Sequence, residues 1–169
     1  MTFLESVISS SIGAFVGFLG ALIIFFVKEW WQTNTNKTSI IENLKLELTY
    51  NITLYNDFEQ KVQECIEAIS NDSKSVYLTL DYDFIGTHFA IQFYRNGLLL
   101  KYFHPEDMRR WNVMLTLIGE GAEKHVVECV DQWRDNEGTE KENVYRALNH
   151  EKKQLAYARE MSQYILKKL

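Results

Sequence analysis

Proline occurs once in 169 residues, which excludes Pro-rich linkers, polyproline segments and a loop-heavy β sandwich. Cysteine occurs twice, at Cys65 and Cys129, which excludes a disulfide scaffold and a structural zinc site. Positive charge is in deficit: 18 Lys and Arg against 23 Asp and Glu give a formal net charge of −5. That balance makes direct nucleic-acid binding an unexpected property. There is no P-loop, no G-x-G-x-x-G, no G-x-S-x-G, no H-x-x-x-H and no C-x-x-C. What is abundant is aromatic and aliphatic carbon. Aromatic residues reach 14% and hydrophobic residues 46%, which excludes whole-chain disorder.

The apolar residues are unevenly spread. No charged residue occurs from Ser6 to Val27. This stretch reads as a transmembrane helix over residues 6–27, covering roughly 30 Å at about 1.5 Å per residue. Lys28, Trp30 and Trp31 follow it as a snorkelling cation and two rings of a membrane interface. The flank after the span carries Lys28, Lys37 and Lys45, and the flank before it carries only Glu5. Positive-inside ordering then predicts a single-pass protein of a bacterial inner membrane, amino terminus outside and the remainder cytoplasmic. Within the span, Ser6, Ser9, Ser10, Gly13, Gly17, Gly20 and Ala21 form a stripe of small residues. Gly13-x-x-x-Gly17 at its centre predicts close helix–helix packing, and hence self-association with an oligomerisation or pore-lining face.

Residues 28–38 form a short polar collar, and residues 39–169 read as a helical domain. Ser39-x-x-Glu42 has the capping-box pattern of a fresh helix start. Ile41, Leu48, Tyr55, Val62 and Ile69 then share one heptad position, and Leu44, Asn51, Phe58 and Cys65 share the other. That continuous stripe, broken only by Asn51, predicts a long helix packed against its own domain in preference to a coiled-coil seam between copies. Asn71–Ser75 reads as a loop, and Val76, Leu78 and Leu80 as an ordered extended connection. A short helix closes at Asn96-Gly97, and His104-Pro105-Glu106-Asp107 opens another, with Pro at its first position and two acids at its positive end. That helix is expected to run from Pro105 to about Arg134, with Gly119 and Gly121 as a weak point. A last helix is expected from about Thr139 to Lys167. The predicted fold is all-α, with four to five helices after the span and with Trp111 and Leu148 as core anchors.

Candidate chemistry is sparse. His88, His104, His125 and His150 fall on separate elements, so neither a metal site nor a cofactor is expected. Asp81-x-Asp83 is the best carboxylate pair, in a loop where solvated acids are common. Arg146 and His150, four apart on one helical face, are the one candidate catalytic pair. An imidazole can move the 2′-hydroxyl proton of RNA and a guanidinium can hold the scissile phosphate.

One uncharged amino-terminal span, a short polar collar and a helical domain of this size resemble the small membrane accessory proteins of type VI-B CRISPR systems. The resemblance implies a HEPN-like helical domain, assembly into a homo-oligomeric ring, and a bilayer pore that strengthens antiphage defence beside an RNA-guided, RNA-cleaving effector. It also sets an expectation against RNase activity. HEPN nucleases place Arg and His further apart than the three residues that separate Arg146 from His150.

Overall fold

A computed structural model describes residues 3–119, 121–136 and 138–169, with side chains from Leu19 onward. Among the described residues the fold is all-α, as the periodicity predicts. The helices are α1 (Phe3–Ser70), α2 (His88–Arg95), α3 (Leu98–Tyr102), α4 (Pro105–Leu117), α5 (Lys124–Arg134) and α6 (Lys141–Lys168), with one 3₁₀ turn at Tyr82–Phe84. The chain divides into two units, Met1–Ser39 and Ile40–Leu169.

The first unit lies within α1, which runs through Ser39 without a new start there. The amino-terminal span needs correction. Among the described residues no helix is long and apolar enough to cross a membrane, so single-pass placement in an inner membrane is not upheld. α1 carries Lys28 and Glu29 directly after Val27 and continues as a polar and then amphipathic helix to Ser70. The side chains of Ser6, Ser9, Ser10, Gly13 and Gly17 lie outside the described residues. Gly20 is half-buried with open space around its missing Cβ, Ala21 is exposed, and Lys28, Trp30 and Trp31 all stand in the open.

In the second unit, the part of α1 from Ile40 onward supplies a spine. Leu44, Leu48, Asn51, Tyr55, Phe58, Val62, Cys65 and Ile69 are all buried, so the stripe is spent inside its own domain. Its three- and four-residue steps hold one helical face against the other elements, the periodicity of an amphipathic bundle helix. The extended connection after α1 follows a two-residue rhythm: Val76, Leu78 and Leu80 are buried while Tyr77 and Thr79 are exposed. Burial alternates there without any strand pairing among the described residues.

Asn51 is the polar interruption of the stripe, and its partners explain it. Its Nδ2 donates to the Gly86 carbonyl at 2.7 Å, and its Oδ1 accepts from the Gly86 N–H at 2.9 Å. One turn earlier, Glu47 accepts from the Phe89 and Ala90 N–H groups at 2.8 and 3.0 Å, occupying the free donors at the start of α2. A Cβ at residue 86 would come within 2.9 Å of the Glu47 side chain, so this close approach calls for glycine.

The helix expected from Pro105 to Arg134 is two helices. α4 stops at Leu117 and α5 begins at Lys124, with Gly121 between them at φ +77°. A left-handed residue ends helical hydrogen bonding outright, so the glycine pair makes a break and not a kink. α4 starts as its sequence predicts: the His104 N–H donates to the Asp107 carboxylate at 3.3 Å. Trp111 is almost fully buried and stacks on Phe93, with ring centroids 6.1 Å apart at 11°, and Phe103 meets it edge-on at 5.9 Å. α6 packs against both α4 and α5, burying Val144, Leu148, Leu155, Ala158, Met161 and Ile165. Lys168 and Tyr164 both bond Asp107, at 2.7 and 2.8 Å, tying the last turns of α6 to the first turn of α4. These contacts hold the Asp107 carboxyl below its ordinary range.

Candidate functional site: the cleft between two helices

The break at Gly121 lets α5 lie along α6, and the two helices leave a cleft of about 710 Å³ between them. Arg146 and His150 both line it, as do His125 and Cys129 from α5 and Asn143 and Gln154 from α6. Four chemically versatile side chains thus share one surface concavity, two of them on a helix that the sequence reading did not connect to Arg146 and His150.

The candidate pair itself is turned apart. Arg146 Nη2 donates to Glu142 Oε1 at 2.5 Å, one turn back along α6. The His150 Nε2 lies 3.0 Å from Gln154 Nε2, one turn forward. Arg146 and Glu142 are both largely exposed, so their ion pair is an ordinary surface contact of small energy. Neither side chain of the pair supports the other. An arginine that holds a phosphate while a histidine moves a 2′-hydroxyl proton needs both heads turned toward the same phosphodiester.

On the opposite wall, His125 and Cys129 sit one turn apart. Cys129 Sγ lies 3.8 Å from His125 Nε2 and 4.0 Å from Nδ1. His125 is exposed and Cys129 half-buried. Burial and the neighbouring Glu128 carboxylate push the Cys129 thiol above its ordinary range, so it rests protonated. Cys65, sealed in the core, is pushed up to about 11 by burial alone. The His125-x-x-x-Cys129 spacing is visible in the sequence, but Cys129 also falls on the apolar stripe of its helix, where a thiol ordinarily packs as a core residue.

Glu151 lines the same cleft and is almost wholly buried. The Tyr82 hydroxyl donates to its Oε1. Burial pushes the Glu151 carboxyl above its ordinary range, and Glu123 adds to this, against the Tyr82 hydrogen bond and the proximity of His150. Glu123 is itself buried, with an oxygen that has no hydrogen-bond partner. This acid-rich region beneath the cleft opposes the binding of a polyanion above it.

The other candidate ligands are dispersed or structural. His88 opens α2 and His104 precedes α4, away from the cleft lining. Asp81 Oδ1 accepts from the Asp83 N–H at 3.1 Å, capping the 3₁₀ turn. Among the described residues, no group of three or more His, Cys, Asp or Glu side chains is arranged to hold a metal ion. No protein family, curated protein or solved structure matches this chain.

Proposed function

We propose that this protein is a self-assembling helical module: residues 19–31 of α1 associate with the same segment of other copies, and the domain from Ile40 onward presents surfaces to a partner. The observation that carries this reading is the exposure of Leu19, Ile23, Ile24, Phe25, Phe26, Val27, Trp30 and Trp31, which ranges from 42% to 70%. Apolar side chains that crowd one helical segment on all sides drive association when water is their only neighbour. Gly20 and Ala21 supply low points at which a second helix can approach. A pore would need a spanning helix, so assembly alone is retained from the expected ring. The HEPN-like character of the domain and its link to an RNA-guided effector rest on the resemblance of chain architecture. A scaffold role fits better than RNA cleavage, because Arg146 and His150 bond in opposite directions and lie above buried acids.

The test is the mass of the full chain in solution, measured by analytical ultracentrifugation with detergent present and absent. A discrete oligomer is expected. The combined change Phe25→Gln, Phe26→Gln, Trp30→Gln and Trp31→Gln is expected to convert it to monomer with unchanged helical content in the domain. A monomeric unmodified chain at micromolar concentration overturns the reading. So does an oligomer that survives the fourfold change.

A further inference from the structure

We propose that the cleft between α5 and α6 is a binding site for a primary alkylammonium group, which docks on the Glu151 carboxylate at its floor and lays its alkyl chain along the cleft. The case begins with an imbalance of charge. Glu151 lines the cleft and is only 4% exposed, and Glu123, at the start of α5, is 9% exposed. A buried carboxylate is costly unless a cation or a full set of donors accompanies it. None of the ion pairs formed by the described residues includes either acid. Glu151 has the Tyr82 hydroxyl on its Oε1, while Glu123 Oε2 is buried with no hydrogen-bond partner. Glu123 faces the Tyr82–Glu151 pair, since its charge bears on both. The neighbouring cations are committed elsewhere: Arg146 to Glu142, Lys141 to Asp72 and Lys152 to Gln63, with the Lys124 side chain against Gly121. The missing positive charge therefore has to come from outside the chain, and the cleft leads from solvent to Glu151.

The chemistry of the cleft selects the head group. An ammonium is a compact point charge with three donors, and a carboxylate with one oxygen already engaged can still satisfy it. A guanidinium fork is held best by two free carboxylate oxygens, and Tyr82 occupies one of them. A quaternary ammonium has no N–H to donate and is held by aromatic rings, and no Phe, Tyr or Trp lines the cleft. Asn143 adds a neutral acceptor, and Ala122, Val126 and Ala147 offer apolar wall to the methylene groups. A free alkylamine and a lysine side chain share this chemistry. The titratable groups around Glu151 are Tyr82 and Glu123 from the elements packed on it, His150 on its own helix, and His125 and Cys129 across the cleft. Docking favours the ionised carboxylate, so any proton on Glu151 passes to solvent, and no covalent bond forms. The inference is independent of self-assembly, which rests on α1.

The experiment uses the full chain in mildly alkaline buffer, where imidazoles are uncharged and alkylammonium groups remain charged. Butylamine and Nα-acetyl-lysine amide are titrated by isothermal calorimetry, with tetramethylammonium at matched ionic strength as the comparison. Saturable binding of a primary amine at one site per chain is expected, with tetramethylammonium weaker by about tenfold or more. The tighter of the two amines distinguishes a free alkylamine from a lysine side chain as the natural source. Glu151→Gln keeps an oxygen for the Tyr82 hydroxyl and is expected to weaken binding about tenfold or more. Glu160→Gln, at an exposed acid of α6 that does not line the cleft, is expected to leave it unchanged. In the unmodified chain the tighter amine is expected to raise the unfolding temperature above the tetramethylammonium control, a measurement that requires no variant. No saturable binding of either amine, equal binding of tetramethylammonium, full affinity in Glu151→Gln, an equal loss in Glu160→Gln, or no rise in unfolding temperature overturns the proposal.

Discussion

Two stretches of α1 spend their apolar residues in opposite ways. From Leu19 to Trp31 the large side chains point everywhere and none is buried. From Leu44 to Ile69 they recur every three or four residues and the recurring positions are buried. A stripe lets a helix settle against its own chain. A uniformly apolar segment has no polar side to turn outward and is left for association with something else.

The sharpest way to break this comparison is to remove the same kind of residue from each unit. Trp111→Ala is expected to destabilise the Ile40–Leu169 unit by ~3–5 kcal/mol and Leu148→Ala by ~2–5 kcal/mol, through lost burial and the cavity left behind. Phe26→Ala is expected to move the unfolding of that unit by less than about 0.5 kcal/mol. Urea denaturation followed by far-ultraviolet circular dichroism measures all three. Equal losses would mean that the two stretches are not distinct in kind.

A second, smaller effect tests whether the one polar residue in the buried stripe is as necessary as its neighbours. Asn51→Leu completes the stripe in apolar terms but leaves the Gly86 N–H and carbonyl without their partner. A cost of about 1–3 kcal/mol is expected, despite the gain in hydrophobicity. A variant as stable as the unmodified chain would show that water replaces the Asn51 amide there at no cost.

The smallest effect concerns the buried acid beneath the cleft. Because the folded state holds the Glu151 proton more tightly than the unfolded chain does, stability falls as pH rises from the ordinary carboxylate range through the raised value. Glu151→Gln removes that loss and still offers an oxygen to the Tyr82 hydroxyl. The variant is expected to be more stable than the unmodified chain in neutral buffer and nearly equal to it in acid. Denaturation midpoints compared across that range measure the difference. An unchanged slope with pH would assign the titration to another group.

The spine of α1, the Pro105 start, the Trp111 and Leu148 anchors and the last helix were legible because each rests on local spacing or a local cap. The split between α4 and α5 was legible only as a weak point. Two glycines lower helix propensity, but the positive φ at Gly121 depends on how α5 packs on α6. The fresh start at Ser39 did not occur, since a capping box competes with simple continuation of a helix already formed. The cleft was hardest to read. Arg146 and His150 share one helix and their nearness was evident, but His125 and Cys129 join them only through the packing of two helices, which no periodicity encodes. Glu151 sits among apolar stripe positions, and its burial follows from the Tyr82 hydroxyl, far away in sequence.

The Glu47 and Asn51 contacts carry a consequence for the order of events in folding. The two side chains line up to receive residues 86–90 only when a turn of helix already separates them. Docking of that segment is therefore expected to follow helix formation at residues 47–51, with the intervening loop closing last. Weakening the Asn51 bonds would then speed unfolding while leaving the folding rate nearly unchanged, the kinetic mark of a contact made late.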